Sequence, residues 1–172
     1  MWPRLLAVVA LVLVVYAFLV QPYQVVSSSM VPTLAEGERV LVLKLDREPS
    51  PGDIVVLAHP HDQPPAHGVA ALLDPVTSRI FGRNYPLLIK RVVGVAGDVV
   101  EARGGRLYRN GAVADDWGPT FDFGPVTVPP GTVYVMGDNR RFSSDSRDFG
   151  PVPADHVVGR AWLVIWPVRT LG

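Results

Sequence analysis

Cysteine is absent from the 172 residues of the chain. Disulfide bonds, a cysteine nucleophile and thiolate metal ligands are therefore excluded. Runs of like charge are missing as well, although the chain has sixteen basic and sixteen acidic residues. No basic patch for nucleic acid is visible, and we expect no nucleic-acid partner. A chain of this length suffices for one modest domain with an anchor and is too short for two independent cores.

The chain after residue 23 has little helical periodicity. Short apolar segments are instead separated by glycine and proline, which number sixteen and seventeen. We therefore predict a mostly β, antiparallel domain over residues 24–172, with a hairpin at 106–113 around Asn110-Gly111. The predicted strands cover residues 39–44, 53–58, 87–95, 98–103, 106–109, 124–128, 132–136 and 157–166.

An uncharged apolar run occupies residues 5–20. With its flanks it is long enough to span the hydrocarbon core as a helix, and we predict one N-terminal transmembrane anchor over 5–23. Trp2 and Tyr23 lie near its ends, where amphipathic aromatic side chains favour the headgroup level. Arg4 is the only charged side chain before the run. It favours a cytoplasmic tail at 1–4 and a domain on the outer face of the cell membrane.

The apolar run has a second interpretation, a cleavable signal peptide. Ser27 and Ser29 offer the small-x-small pattern that such cleavage requires. Cutting there would remove Ser29 from the mature chain, so a function of Ser29 requires that the segment be retained.

Residues 59–85 interrupt the alternation of strands and turns, and we predict that they form a surface insertion between two core strands. His59, His61 and His67 lie in this region, and imidazole is a common ligand of zinc, copper and nickel. No further ligand completes a set, so we interpret the region as a solvated proline-rich loop. We expect neither a metal nor a cofactor.

The serines at 27–29 precede Met30 and Pro32, and Pro32 pushes Val31 towards an extended conformation. They are interpreted either as a polar exit from the apolar run or as the source of a nucleophile. A serine nucleophile needs a base that is neutral near pH 7. Lys90 is the best candidate, because it shares one face of a predicted strand with Leu88 and Val92, and burial lowers the pKa of a lysine. The alternative is a lysine that reaches solvent from an edge strand.

Residues 136–150 form a third unusual segment, which is densely polar. It matches neither the calcium-loop nor the phosphate-loop spacing. The default interpretation is a plain surface loop. In the alternative interpretation, four charged residues pair and fix its geometry, and the Ser143 hydroxyl orients a neutral lysine. The four are Arg91, Asp138, Asp145 and Arg147.

Together the three segments resemble the motif set of bacterial type I signal peptidases, also called leader peptidases. The matching patterns are S-x-S-M-x-P-T-L at 27–34, K-R-V-x-G-x-x-G-D at 90–98 and G-D-N-R-x-x-S-x-D-S-R at 137–147. Pro51-Gly52-Asp53 and the apolar residues after it also resemble a core strand of that family. Two departures stand out: Arg141 and Phe142 replace residues that are often acidic and amide in the family, and the 59–85 insertion is individual.

The resemblance implies a signal-peptidase-like β domain that acts as a Ser-Lys serine endopeptidase. Ser29 is then the nucleophile and Lys90 the general base, while the Ser29 N–H and the Ser27 hydroxyl form the oxyanion hole. Met30 is expected to line the substrate groove. The remaining implied residues support the site: Ser143 beside the lysine, and Arg91, Asp138, Asp145 and Arg147 as structural pairs.

The implied substrates are signal peptides of exported preproteins, cut after small residues at positions −3 and −1. The implied partners are the lipid bilayer and, as a further candidate, the secretion machinery. Two alternatives stay open: a repressor-type Ser-Lys autoprotease and a non-catalytic, membrane-tethered β module that binds precursors. Four aromatic residues are candidates for a surface that dips into the bilayer interface, and for two of them, Trp162 and Trp166, packing in the core is the alternative. The four are Trp117, Phe142, Trp162 and Trp166.

Overall fold

The computed structural model describes residues 2–44, 48–65, 87–114 and 117–171. Its helices are α1 (Trp2–Phe18) and α2 (Ser146–Phe149), with 3-10 turns at Ser28–Met30 and Ala154–His156. Its strands are β1 (Val20–Gln24), β2 (Arg39–Leu43), β3 (Ile54–Ala58), β4 (Leu87–Val95), β5 (Val99–Arg103), β6 (Arg106–Arg109), β7 (Ala112–Val113), β8 (Phe123–Thr127), β9 (Thr132–Met136), β10 (Val152–Pro153), β11 (Val157–Trp166) and β12 (Val168–Thr170).

The described strands form two antiparallel sheets, so the prediction of a mostly antiparallel β domain is confirmed. The larger sheet has the order β1-β2-β11-β3-β4-β9-β10, and β12 pairs with β11. The smaller sheet has the order β7-β6-β5-β8. Strand β4 lies inside the larger sheet, between β3 and β9, which removes its central residues from solvent.

The helix prediction over 5–23 extends too far. Helix α1 ends at Phe18, and Val20–Gln24 pair with β2 as the outermost strand of the larger sheet. Pro22 fits this position because an edge strand can accept a residue that lacks a backbone N–H. Among the described residues, no helix combines the length and apolar character that crossing a membrane requires.

The core consists of three apolar clusters around the larger sheet. Strand β3 contributes to two of them, with Ile54 and Val56 in one and Val55 and Leu57 in the other. A third cluster, which includes Val100 and Leu107 of the smaller sheet, joins the two sheets. Because both faces of β3 are buried, its neighbour β4 is also enclosed, and this enclosure surrounds Lys90.

The Asn110-Gly111 turn is confirmed, since both residues have positive φ, 55° and 80°. This is the geometry of the tight hairpin turns that favour Asn-Gly. The predicted insertion at 59–85 lies outside the described residues from position 66 onward, and His67 is among those excluded. His59 and His61 are described, with ring centroids 5.1 Å apart.

Candidate active site

Ser29 and Lys90 meet although they are 61 positions apart in the sequence. The Lys90 Nζ–Ser29 Oγ distance is 2.8 Å, within a buried environment. Ser29 lies in the 3-10 turn after β1, and Lys90 lies in β4. Val31 after the turn is extended, with φ −65° and ψ 137°, as expected for the residue before a proline. The structure therefore brings together the two residues that the sequence singled out.

Lys90 is enclosed on its own face of the sheet. Leu88 and Val92 pack in the same cluster, and its partner in β3 is the fully buried Val55. Only 3% of Lys90 is exposed. Burial lowers the pKa of Lys90 from 10.5 to about 8, while the charge of Asp145 opposes this shift and that of Arg147 adds to it. The prediction of a buried lysine is confirmed, and the edge-strand alternative is wrong.

A cavity of about 230 Å³ opens next to this pair. Its walls come from two segments, Gln24–Met30 without Ser28, and Leu87–Lys90. Met30 is among the residues that line the cavity, although it is also fully buried in the core. The Ser27 hydroxyl lies 3.2 Å from Ser29 Oγ. The arrangement can therefore hold an extended chain beside a hydroxyl that contacts a lysine of lowered pKa.

Comparison with known proteins identifies the family of the chain. The family model "Signal peptidase, peptidase S26" matches residues 1–166. The chain belongs to the signal peptidase family. It is 33% identical to a probable signal peptidase I-2 of Synechocystis over 95% of this chain and 71% of that protein. It is 34% identical to a signal peptidase I of Leptolyngbya laminosa over 95% of this chain and 77% of that protein.

A crystal structure of a signal peptidase I from Enterococcus faecalis is 28% identical in sequence, with a TM-score of 0.49 over 67% of this chain and 97% of that one. The sequence relatives make this chain a serine peptidase that removes signal peptides. That membership decides against the autoprotease and the non-catalytic module.

The first charged pair of this signal peptidase joins β4 to the loop after β9. Arg91 Nε and Nη2 donate to the two carboxylate oxygens of Asp138 at 2.8 and 2.7 Å. Nη1 of Arg91 donates to the Gly52 carbonyl at 2.6 Å, and the guanidinium lies 4.4 Å from the centre of the Trp117 ring. Such a two-point pair fixes orientation as well as distance. Arg91 thus points away from Lys90 into a buried carboxylate, as expected from strand alternation.

The second pair, Arg147 with Asp145, closes the loop that faces Lys90. Arg147 donates from Nε and Nη2 to the Asp145 oxygens, both at 2.8 Å. The backbone N–H of Gly137 donates to the same carboxylate at 2.9 Å. Asp145 also caps α2 in a reciprocal box with Asp148. The predicted charged pairs are therefore both formed.

Three further residues hold the loop against the 3-10 turn, and the sequence reasoning assigned them no role. The Asn139 N–H donates to the Ser29 carbonyl at 3.0 Å, and its side-chain amide donates to the Ser28 carbonyl at 3.1 Å. The Thr33 hydroxyl donates to Asp138 at 2.5 Å. At Gly137 an added Cβ would lie 2.5 Å from the Ser29 carbonyl oxygen. Their presence inside the quoted motifs was the available signal.

Ser143 departs from expectation. Its Oγ is buried and has no hydrogen-bond partner among the described residues, so the structure lacks the expected bond to Lys90. Ser143 instead packs against Gly137, where an added Cβ would overlap its hydroxyl.

The aromatic residues are largely external. Trp162, Trp166 and Phe142 are exposed, so core packing of the two tryptophans is wrong. For the histidines, no group of three or more candidate metal ligands occurs within the described ranges.

Proposed function

We propose that this signal peptidase cuts preproteins with Ser29 as nucleophile and Lys90 as general base. The observation that carries the proposal is the 2.8 Å contact between Ser29 Oγ and the buried Lys90 Nζ. A serine hydroxyl becomes nucleophilic when an adjacent base removes its proton. Burial lowers the pKa of Lys90 to about 8, which makes its neutral form available near physiological pH.

In the proposed reaction the Ser29 hydroxyl donates to neutral Lys90 along this contact. The proton moves to Nζ as Oγ attacks the scissile carbonyl carbon, and the carbonyl oxygen becomes an oxyanion. The Ser29 N–H and the Ser27 hydroxyl stabilise that charge, and losing one such donor typically costs ~10² to 10³ in rate. Protonated Lys90 then transfers its proton to the leaving amine. A water molecule deprotonated by Lys90 releases the acyl group.

The substrate segment before the cut is proposed to lie in the cavity beside Ser29 as an extended strand. Strand β9 pairs with β4 only between Arg91 and Val95, so the preceding part of that edge of β4 faces the cavity. Val25, Met30 and Ile89 provide apolar walls. A cavity of about 230 Å³ has room for small side chains, which supports cleavage after small residues at −3 and −1.

Membrane attachment is also part of the proposal. The side chains of Trp2, Leu5, Leu6 and Leu11 are all more than half exposed on α1. Exposed apolar surface of this extent requires a cover, and the acyl chains of a bilayer supply one. Insertion of α1 would place the catalytic domain on the outer face of the cell membrane, with residues 1–4 on the cytoplasmic side. There it would meet preproteins, the secretion machinery being a further proposed partner.

The test is cleavage of a model preprotein in detergent by wild type, Ser29→Ala and Lys90→Met. We expect both variants to lose roughly 10³-fold or more in kcat/KM, since removing either member of such a pair disables the other. Ser28→Ala is the matched control, because Ser28 is an exposed serine next to Ser29. It should retain wild-type activity.

A second substrate with a bulky residue at −1 tests the cavity, and wild type should leave it intact. Retained activity in Ser29→Ala or Lys90→Met would refute the proposed pair. If Ser28→Ala were as inactive as Ser29→Ala, Ser29 could not be assigned as the nucleophile, because either Ser28 would have that role or both variants would have lost their structure.

A further inference from the structure

The short strand β12 places an arginine against the loop that follows Ser29. Arg169 is paired with Val164 of β11. Strand β3 pairs with β11 only up to Ala161, and β12 pairs with the residues of β11 that follow. Its Nη2 atom donates to the Thr33 carbonyl oxygen and to Glu38 Oε2, each at 2.7 Å. Arg169 lies beyond residue 166, where the match to the family model ends.

The loop held by Arg169 is connected to the catalytic turn by hydrogen bonds. The Leu34 N–H donates to the Met30 carbonyl at 2.9 Å, which continues the turn that contains Ser29. The Thr33 hydroxyl donates to Asp138. Thr33 is thus bound on its carbonyl side by Arg169 and on its hydroxyl side by Asp138. A shift of Thr33 would move Met30 and, through it, Ser29.

The two ends of this segment are held by different parts of the chain. Asn139 binds the carbonyl oxygens of Ser28 and Ser29 at the beginning. Arg169 binds Thr33 and Glu38 at the end. Glu38 Oε2 also accepts from the Ala35 N–H at 3.0 Å, so the arginine completes a closed set of contacts within the loop.

We propose that Arg169 is a positioning residue that keeps Ser29 Oγ within reach of Lys90 by fixing the end of the 28–38 segment. The inference rests on the proposed Ser29-Lys90 function and extends it to β12. Arg169 is not among the residues that line the cavity and acts through its bonds to Thr33 and Glu38. Displacement of a catalytic group by about 1 Å can cost ~10²-fold in rate.

The competing explanation is a plain surface ion pair between Arg169 and Glu38. Their side chains are 38% and 13% exposed, and such pairs add little to stability and nothing to the chemical step. The two explanations predict different values of kcat for a variant that lacks the Arg169 guanidinium: a lowered kcat for a positioning residue and an unchanged kcat for a surface ion pair. If Arg169 is a positioning residue, Arg169→Lys should restore kcat, because a single nitrogen of Arg169 makes both contacts and an ammonium group can replace it.

The experiment compares Arg169→Met, Arg169→Lys and Arg103→Met with wild type and Ser29→Ala. Arg103 is the matched control, since it pairs with Glu101 at 3.2 Å in the smaller sheet. We expect Arg169→Met to lower kcat by roughly 10- to 100-fold with KM unchanged, and Arg169→Lys to recover most of the loss. Arg103→Met should keep wild-type kcat, with a shift in melting temperature similar to that of Arg169→Met.

Wild-type kcat in Arg169→Met would overturn the inference, as would a loss that only follows the folded fraction. Equal losses in Arg169→Lys and Arg169→Met would overturn it too. Ser29→Ala separates these results from a failure of the proposed function. If Ser29→Ala remains active, the Ser29-Lys90 mechanism itself is wrong, whereas an inactive Ser29→Ala beside a fully active Arg169→Met refutes only the positioning role.

Discussion

Replacing Lys90 with methionine is expected to stabilise the fold while it abolishes cleavage. Lys90 is almost completely buried, and burial lowers its pKa from 10.5 to about 8. Between these two pH values the unfolded chain binds a proton that the folded chain does not. Folding is therefore least favourable below pH 8, where Lys90 must be buried as an ammonium, and the penalty disappears as the pH rises above about 10.5.

The size of the effect follows from the pKa. One pH unit corresponds to ~1.36 kcal/mol, so the shift from 10.5 to about 8 corresponds to a penalty of ~3 kcal/mol at pH 7. Methionine removes the charge and keeps most of the volume. It also removes the bond to Ser29 Oγ, and such a bond contributes ~1 kcal/mol. The Ser29 hydroxyl keeps Ser27 as a partner at 3.2 Å, so Lys90→Met should be more stable than wild type by ~2 kcal/mol at pH 7.

Urea unfolding followed by tryptophan fluorescence, in detergent at pH 7 and at about pH 10.5, measures this difference. The advantage of Lys90→Met should vanish or reverse at the higher pH. Lys44→Met is the control, because Lys44 is the only other lysine of the chain and is only half-buried. A less stable Lys90→Met at pH 7, or a stability difference that does not change with pH, would refute the reasoning.

Two further predictions concern activity. The kcat/KM of wild type should rise about tenfold per pH unit up to pH 8 and level off above it, because only neutral Lys90 accepts the Ser29 proton. Gly137→Ala should lower kcat/KM by ~10²-fold in a cleavage assay, since its Cβ would lie 2.5 Å from the Ser29 carbonyl oxygen and displace the turn.

Specific results would contradict each of these two predictions. A rate that is flat between pH 6 and 8, or one that rises through pH 10, would show that the pKa of the base is not near 8. Gly124→Ala is the control for Gly137→Ala, because an added Cβ there meets no atom within 4 Å. Equal losses in the two alanine variants would show that the close approach at Gly137 is unimportant.

The fold was largely predictable because most strands carry their own signals. β4, β6, β9 and β11 have the predicted bounds, and the bounds of β2, β3, β5 and β8 differ from the predicted ones by a residue or two. Strands β1, β10 and β12 were missed. They are at most five residues long, and two of them contain proline. Their pairing depends on neighbouring strands and leaves no periodic pattern in the sequence.

The site was predictable where a residue has a chemical anomaly of its own. Lys90 shares one face of a predicted strand with Leu88 and Val92, which made it the best candidate for a buried base, although the edge-strand alternative stayed open until the structure placed β4 inside the sheet. Asn139, Thr33 and Gly137 show no such anomaly, because their roles arise only when the loop after β9 contacts the 3-10 turn. Arg169 is a further example. It resembles any surface arginine until its distance to the Thr33 carbonyl is known.

The charged pairs explain why burial, and not a neighbouring charge, dominates the pKa of Lys90. Desolvation is the largest cause of the lowered pKa; the charge of Asp145 raises that pKa and the charge of Arg147 lowers it. The two side chains bind each other at 2.8 Å, and their charges shift the pKa of Lys90 in opposite directions. Arg91 is paired with Asp138 on the other face of the strand. Nearby charges are thus held in ion pairs, and desolvation is the main reason why the pKa of Lys90 is low enough for it to act as a base.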